Sequence, residues 1–157
     1  MKILDGKIIR DEILTQLKTE FAKLAGATKL AIIQVGVRND SNAYIRQKKI
    51  FAEKVGAVVE HIKFSENCSS KEIIEKINFL NTNLTTHGII VQLPLPENFV
   101  ADEIIETINP NKDVDGLTAK NLRRLAMGDL SGLVPATAKG ILKILDYYQI
   151  PITGRRA

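Results

Sequence analysis

Apolar residues along this chain follow two spacings, and each spacing predicts a different kind of element. Near the N-terminus they recur every three or four positions, at Ile9, Ile13, Leu17, Phe21 and Leu24. This is the spacing of one face of an amphipathic helix. Further along, short and almost continuous apolar runs of strand length are closed by glycine or proline. Runs of this kind are typical of strands that are buried on both faces.

The two patterns alternate, and together they predict the order of elements. A helix is expected to begin at Ser69, where Glu72 can complete a capping box, and its apolar stripe runs to Leu84. Strands that alternate with helices favour a parallel sheet with helices on both faces. We therefore expect an α/β fold, a three-layer α/β/α domain around a small and mainly parallel sheet. The other helices are expected over about 7–24, 41–55, 102–108, 119–126 and 138–148, and the strands over 30–35, 57–64 and 88–93.

Composition narrows the classes of function. The length of 157 residues suits one domain, and the content of 45% hydrophobic and 25% charged residues is ordinary for a globular protein. The net charge of +4 suits an anionic small substrate, but the basic residues are scattered, so nucleic-acid binding is not expected. No apolar run approaches the roughly 20 residues that span a bilayer, and the N-terminus has no signal-peptide pattern. With Cys68 as the single cysteine, we expect a cytoplasmic protein without an internal disulfide.

The second predicted helix has a charged residue in the middle of an apolar stripe. At about 100° per residue, Lys48, Phe51 and Val55 fall within about 40° of Tyr44. Tyr44, Phe51 and Val55 are residues that a core-facing stripe should contain. Lys48 either extends its ammonium to water along that stripe, or meets a ligand in a cleft that the stripe lines. In the second case burial favours a neutral amine, which can act as a general acid or base.

Polar residues follow the predicted strands at the edge where α/β sheets bind ligands. The segment Asn39–Ser41 follows the first strand, Gln92 ends the third strand just before Leu93 and Pro94, and Asp113 and Asp115 lie in a later loop. A structural hydrogen bond is an alternative role for Gln92. For the two aspartates the alternative is a turn in which a carboxylate accepts from backbone N–H groups. No histidine or third carboxylate is spaced to complete a metal site, so none is expected.

The same groupings, in this order, resemble one family. It is the bifunctional methylenetetrahydrofolate dehydrogenase/methenyltetrahydrofolate cyclohydrolase family, and the resemblance covers essentially the whole chain. Three of its motifs are matched in order: Ser-x-x-Tyr-x-x-x-Lys, Gly-Ile-x-Val-Gln-Leu-Pro-Leu-Pro and Pro-x-Lys-Asp-Val-Asp-Gly. The matching segments are 3–7, 35–36, 41–48, 88–96, 110–116 and 121–125.

The resemblance implies an enzyme of folate one-carbon metabolism, with a place in purine biosynthesis. Its members oxidise 5,10-methylenetetrahydrofolate with NADP and hydrolyse the methenyl product to 10-formyltetrahydrofolate. It also implies roles for particular residues. Lys48 would act at the one-carbon bridge with Gln92 hydrogen-bonded to it, Tyr44 would stack on the folate, and Asp115 would hold the pterin. Ser41, Leu93 and Pro94 are expected to complete the substrate site.

The chain departs from the family at three positions and in length. Ile50 stands where a second basic residue is common, and Ala136 and Ala138 replace Cys and Pro, which is expected to loosen that loop. No Gly-x-Gly-x-x-Gly occurs in the chain. We therefore expect a folate-binding catalytic domain over residues 1–150, and a linker over 151–157 toward a Rossmann-type NADP domain that the sequence does not contain. A frayed tail is the alternative to a linker.

Several functional expectations follow from that reading. This chain alone is expected to bind no NADP, to lack the dehydrogenase step and to have weak cyclohydrolase activity at most. The full-length enzyme would be a homodimer. A non-catalytic folate-binding or regulatory domain is the alternative function. The pair Tyr-x-x-x-Lys also occurs in short-chain dehydrogenases, but those enzymes need a glycine-rich nucleotide turn before the pair, and none precedes Tyr44.

Overall fold

Three helices alternate with three strands and three further helices follow along residues 3–24 and 26–156, the part of the chain that a computed structural model describes. Every predicted element is present, with boundaries that differ by at most three residues. The strands are β1 (Lys29–Val35), β2 (Val58–Phe64) and β3 (Gly88–Val91). The helices are α1 (Gly6–Ala22), α2 (Asn39–Val55), α3 (Ser70–Thr82), α4 (Ala101–Ile105), α5 (Ala119–Ala126) and α6 (Ala136–Tyr147).

The strands form one parallel sheet with β1 in the centre, in the order β2-β1-β3. Ile32 of β1 is paired with His61 of β2, and Ile33 is paired with Val91 of β3. Helices cover both faces of this sheet, so the predicted three-layer α/β fold is confirmed. Because all three strands run in one direction, their carboxyl ends meet at a single edge.

The two faces of the sheet are covered unequally. On one face a large buried cluster joins the strands to α3 and α4, and Ile33, Ile77 and Ile104 in it are fully buried. On the other face the buried apolar cluster consists of Ile32 of β1, Ile45 of α2 and Ile90 of β3. The face beneath α2 is thus held by a much smaller apolar core.

The capping box predicted for α3 is present. Ser69 Oγ accepts a hydrogen bond from the backbone N–H of Glu72 at 3.3 Å, and Glu72 Oε2 accepts from the backbone N–H of Ser69 at 2.8 Å. Both bonds satisfy N–H groups that a helix start leaves without a partner.

Six predicted boundaries differ from the observed ones by two or three residues: the ends of α1, α3, α4 and β3 and the starts of α2 and α6. β3 ends at Val91 rather than Leu93, although the N–H of Gln92 still donates to Ile33 at 2.8 Å. Helix α4 ends at Ile105 rather than Ile108, and a turn carries the chain on from there. Helix α6 begins at Ala136 rather than Ala138, because Pro135 directly before it accepts the first helical hydrogen bond, from Lys139, at 3.0 Å.

The stripe of α2 that begins at Tyr44 does not face the core. Tyr44 is 66% exposed, and the buried residues of α2 are Ser41 and Ile45. Lys48, Phe51 and Val55 of that stripe line a cavity, which is the other possibility considered from the sequence. The helix lies on the sheet through these two residues, so the stripe that begins at Tyr44 points sideways. Further along that stripe Phe51 meets α1, where the guanidinium of Arg10 lies 5.5 Å from the ring centroid.

The N-terminus and the end of α6 are joined by one side chain. The Tyr148 hydroxyl accepts from the backbone N–H of Asp5 at 2.9 Å and donates to the carbonyl of Asp5 at 3.2 Å. Residues 151–156 form no helix or strand and are exposed. The predicted bounds 1–150 and 151–157 include residues 1, 2, 25 and 157, which lie outside the described residues. Within the described ranges, every helix is too short or too polar to cross a membrane.

Replacement of Ile77 by alanine tests the large core. Ile77 is fully buried between α3 and the sheet, so Ile77→Ala is expected to lower the free energy of unfolding by about 2–5 kcal/mol in urea titrations. Leu84→Ala, close by at a side chain that is 92% exposed, serves as the control and should cost less than about 0.5 kcal/mol. Equal losses in both variants would contradict this description of the core.

Candidate active site

The carboxyl edge of the sheet brings Lys48 and Gln92 together. Helix α2 begins soon after β1 and carries Lys48 in its third turn, while Gln92 directly follows β3. Because β1 and β3 are parallel neighbours, the start of α2 and the end of β3 lie at the same edge. Two segments more than 40 residues apart in sequence therefore contribute side chains to one place.

The hydrogen bond expected between Lys48 and Gln92 is present. Lys48 Nζ donates to Gln92 Oε1 at 3.3 Å, and both side chains are partly buried. The other end of the Gln92 amide is fixed, because Nε2 donates to the carbonyl of Leu93 at 2.8 Å. This bond leaves Oε1 free to accept from Lys48. The ammonium is therefore aimed at the sheet edge and does not extend into open solvent.

Asp115 lines the same cavity as Lys48 and is half-buried. Burial raises the pKa of its carboxyl above the ordinary value of 3.8, and the negative charge of Asp113 raises it further. The positive charge of Lys48 opposes both effects. Asp115 is thus a carboxyl with reduced access to water, in the electrostatic field of the candidate catalytic lysine.

Asp113, two residues earlier, has a structural role. It is 1% exposed, and its carboxylate accepts from the backbone N–H groups of Leu117 at 3.2 Å and Thr118 at 2.8 Å. Asn121 Nδ2 donates to it at 3.0 Å. The capping role considered from the sequence is thus present for Asp113, while Asp115 faces the cavity.

Lys112 and Gly116 fix the two ends of this loop. Lys112 Nζ donates to the carbonyls of Leu80, Asn81 and Asn83 at 2.8–2.9 Å, where the C-terminus of α3 leaves carbonyls without helical partners. Gly116 has a φ of +66°, and a Cβ there would lie 2.6 Å from the carbonyl oxygen of Leu133. The motif therefore divides into anchoring residues and one residue, Asp115, that is presented to the site.

The remaining predicted site residues differ in what they offer a ligand. Tyr44 exposes its ring on the solvent side of α2, one helical turn from Lys48. Pro94 is exposed and Leu93 is half-buried, and the peptide bond between them is cis. Ser41 is only 3% exposed, so it presents little surface to a ligand, and its role in binding stays a prediction.

A cavity of about 950 Å³ is lined by Lys48, by Asp115 and by residues of α1, α2 and α6. Its walls are mainly apolar, and partly exposed residues of the α1 stripe contribute to them. The apolar lining includes Ile9, Ile13, Leu17, Phe51, Val55 and Ile144. Lys48 and Asp115 thus border this cavity, whereas Gln92 and Tyr44 do not line it.

Three residues whose hydrogen bonds hold the elements of the candidate site were not predicted from the sequence. Lys112 and Asn121 belong to motifs that were recognised, but the sequence does not show which motif members face inward. Gln34 is 2% exposed on β1, and a glutamine inside an apolar strand was a signal that its side chain has buried partners. Among the described residues no group of three His, Cys, Asp or Glu side chains could hold a metal ion.

Replacement of Asp115 by asparagine is expected to stabilise the chain at neutral pH. Because the folded-state pKa of Asp115 is raised, the folded chain binds more protons than the unfolded chain between 3.8 and that higher pKa. Stability is therefore lost as pH rises through this window. Asp115→Asn should melt a few degrees higher than the unchanged protein at pH 7, and this difference should disappear by about pH 3.

The matched control is Asp113→Asn. An amide nitrogen at this position would face N–H donors, so the variant should lose roughly 1–3 kcal/mol of unfolding free energy at pH 7. Thermal melts of both variants across pH provide the measurement. A lower melting temperature for Asp115→Asn at pH 7 would show that burial of this carboxylate is not a cost to the fold.

Comparisons with known proteins identify the family of this chain. The family model for the tetrahydrofolate dehydrogenase/cyclohydrolase catalytic domain matches residues 4–115. The cytoplasmic C-1-tetrahydrofolate synthase of Homo sapiens is 43% identical over 99% of this chain, which spans 18% of that protein. The bifunctional FolD dehydrogenase/cyclohydrolase of Campylobacter jejuni superposes with a TM-score of 0.91 at 36% identity, over 96% of this chain and 54% of that one.

A third relative is the FolD enzyme of Trypanosoma brucei, solved with an NADP cofactor and an inhibitor. It has a TM-score of 0.92 at 28% identity, over 99% of this chain and 54% of its own. The chain thus spans about half the length of the FolD structures it matches. By the family model, the sequence identity and the shared fold, the chain belongs to the tetrahydrofolate dehydrogenase/cyclohydrolase family and corresponds to its N-terminal catalytic domain.

Proposed function

We propose that this chain binds tetrahydrofolate derivatives and hydrolyses 5,10-methenyltetrahydrofolate to 10-formyltetrahydrofolate, with Lys48 as the catalytic residue. The observation that supports this most directly is the hydrogen bond of Lys48 Nζ to Gln92 Oε1 at 3.3 Å, beside a cavity that Lys48 and Asp115 line. A held amine beside a carboxyl is suited to proton transfer. The relatives named above, bifunctional dehydrogenase/cyclohydrolases, support the choice of substrate.

Hydrolysis needs proton transfers at one carbon, and Lys48 is placed to carry them. Water attacks the cationic methenyl carbon, and one proton of that water passes to Lys48 Nζ, which acts in this step as a neutral amine, as the new C–O bond forms. The hydroxyl then loses its remaining proton to solvent as the formyl C=O forms. At the same time one C–N bond of the bridge breaks, and the departing nitrogen takes the proton from Lys48. The sum consumes one water and releases one proton.

The neighbouring residues would bind and orient the substrate. The exposed ring of Tyr44 supplies a face for stacking on an aromatic part of the folate. The carboxyl of Asp115 would accept hydrogen bonds from the polar edge of the pterin, in a half-buried position where such bonds are stronger than in water. Gln92 would keep Lys48 at the bridge carbon, while Ser41, Leu93 and Pro94 would border the same pocket.

Oxidation of the methylene substrate by NADP is proposed for a full-length enzyme only. The hydride acceptor must be held against the methylene carbon. The residues of this chain do not fit a dinucleotide, because no turn between a strand and a helix has the Gly-x-Gly-x-x-Gly pattern that approaches a pyrophosphate. We therefore propose that this chain binds no NADP by itself, and that residues 151–157 lead toward a second domain.

The setting of the full-length enzyme is also a proposal. The human relative is named as cytoplasmic, which supports a cytoplasmic location and a place in one-carbon supply. The full-length enzyme is proposed to be a homodimer that acts on small folates, with neither nucleic acid nor membrane as a partner. A non-catalytic folate-binding domain is the second candidate.

Replacement of Lys48 by methionine separates the two candidates. Lys48→Met keeps the length of the side chain and removes the proton carrier, so kcat for methenyltetrahydrofolate hydrolysis should fall by about 10²–10⁴-fold. Loss of methenyl absorbance measures the rate. The control is Lys54→Met, which removes an exposed lysine of the same helix and should leave the rate unchanged. Equal rates in Lys48→Met and the unchanged chain would exclude Lys48 as the catalyst.

A second assay tests whether this chain alone can oxidise the methylene substrate. The chain mixed with 5,10-methylenetetrahydrofolate and NADP is expected to produce no NADPH above the rate without protein, because nothing positions the nicotinamide. Absorbance of NADPH reports the reaction directly. Production of NADPH at a rate proportional to chain concentration would contradict the proposal.

A further inference from the structure

Helix α2 carries the candidate catalytic lysine, and Ile45 is its one buried apolar residue. Ile45 joins Ile32 and Ile90 in the small buried cluster beneath the helix. Further along, the half-buried Phe51 packs on α1. In the first turns, before Ile45, the buried residue is Ser41, so polar contacts are left to fix the rotation of that part of α2.

A row of three polar side chains lies beneath the first turns of α2. His61 of β2, Gln34 of β1 and Asn42 of α2 are hydrogen-bonded in sequence, and we call this row the polar ladder. Gln34 Nε2 donates to Asn42 Oδ1 at 3.0 Å, and Gln34 Oε1 lies 2.8 Å from His61 Nε2. Gln34 is only 2% exposed, so water cannot readily replace either partner.

The hydrogen bonds of Gln34 determine the state of the His61 ring. Since the amide nitrogen of Gln34 donates to Asn42, its oxygen is left as the acceptor for His61. The Nε2 atom of His61 must therefore carry a proton. Burial lowers the pKa of His61, and the charges of Lys49 and Lys63 lower it further, so the neutral ring with a proton on Nε2 predominates at pH 7.5.

The polar ladder and the candidate site hold α2 at two points. Ile33 is paired with Val91, and the N–H of Gln92 donates to the carbonyl of Ile33. Gln34 and Gln92, the next residues of the two chain segments, therefore lie side by side. Gln34 holds Asn42 in the first turn, and Gln92 holds Lys48 two turns later. Rotation of α2 would break both contacts and leave buried polar groups without partners, which is costly.

We propose that Gln34, His61 and Asn42 are positioning residues for Lys48. The polar ladder fixes the rotation of α2 and thereby places Nζ at the carbon that reacts. This inference rests on the proposed function of Lys48 for its kinetic consequence, whereas the structural consequence, a fixed Lys48 side chain, is independent of folate chemistry.

The primary test is Gln34→Met, which keeps the length of the side chain but neither donates nor accepts. In the folded variant, kcat for methenyltetrahydrofolate hydrolysis is expected to fall roughly 10- to 100-fold, with KM changed less than about threefold, because the reacting group is misplaced while binding surfaces remain. Unchanged kcat in a folded Gln34→Met, with Lys48→Met inactive, would overturn the inference.

Two substitutions at Asn42 separate positioning from general loss of stability. Asn42→Asp keeps an acceptor for Gln34 Nε2 and should retain kcat, while Asn42→Leu removes the acceptor and should resemble Gln34→Met. Ile77→Val weakens the core on the opposite face and is expected to lower the melting temperature without changing kcat below that temperature. A loss of kcat that merely follows melting temperature across these variants would contradict a positioning role.

An assay that needs no folate tests the positioning role of Gln34, His61 and Asn42 even if the chain is inactive. Acetylation by acetic anhydride, followed by mass spectrometry, gives the reactivity of Lys48 relative to Lys54 on the same helix. Gln34→Met and Asn42→Leu should raise this ratio at least about twofold, because Nζ is released from Gln92, and Asn42→Asp should not. An unchanged ratio would overturn the inference whatever Lys48 does in catalysis.

Discussion

The contact between Lys48 Nζ and Gln92 Oε1, at 3.3 Å, joins the third turn of α2 to the end of β3, and the geometry of the candidate site depends on it. It exists because β1 and β3 are parallel neighbours, which puts the start of α2 and the end of β3 at one edge. The second hydrogen bond of Gln92, to the carbonyl of Leu93, turns its oxygen toward the lysine. The topology of the sheet and the orientation of the Gln92 amide together thus fix the position of Lys48 Nζ.

One face of the sheet carries most of the buried apolar core, and the other face carries the candidate site. The face under α3 and α4 has a large, fully buried apolar cluster that includes Ile33 and Ile77. The face under α2 has a small apolar cluster, buried polar side chains and a cavity of about 950 Å³. A carboxyl such as Asp115, whose pKa burial raises, lies on this second side. Polar groups that the site needs are therefore kept away from the core that stabilises the fold.

Much of the fold could be predicted from local sequence patterns. The helices and strands follow from apolar spacing, and Ser69 with Glu72 gives the start of α3 as predicted. The rotation of α2 could not be predicted, since Tyr44 and Ile45 are equally suited to a core and only the packing on the sheet selects Ile45. The start of α6 at Ala136 was not predicted, because it depends on a backbone hydrogen bond from Lys139 to Pro135 that exists only in the folded helix.

The candidate site was predictable to a similar degree. Lys48, Gln92 and Asp115 were all singled out from sequence, and the structure brings Lys48 to Gln92 and lines one cavity with Lys48 and Asp115. The distinction between Asp113 and Asp115 depends on which of two neighbouring side chains points inward. The buried partners of Gln34 come from β2 and α2, which are separated from it in sequence.

The most direct test of the central claim is a crystal structure of this chain with a non-hydrolysable analogue of 5,10-methenyltetrahydrofolate. The bridge carbon is expected within about 3–4 Å of Lys48 Nζ, with the ligand stacked on Tyr44 and hydrogen-bonded to Asp115. Binding of the analogue away from Lys48, for example deep between α1 and α6, would contradict it.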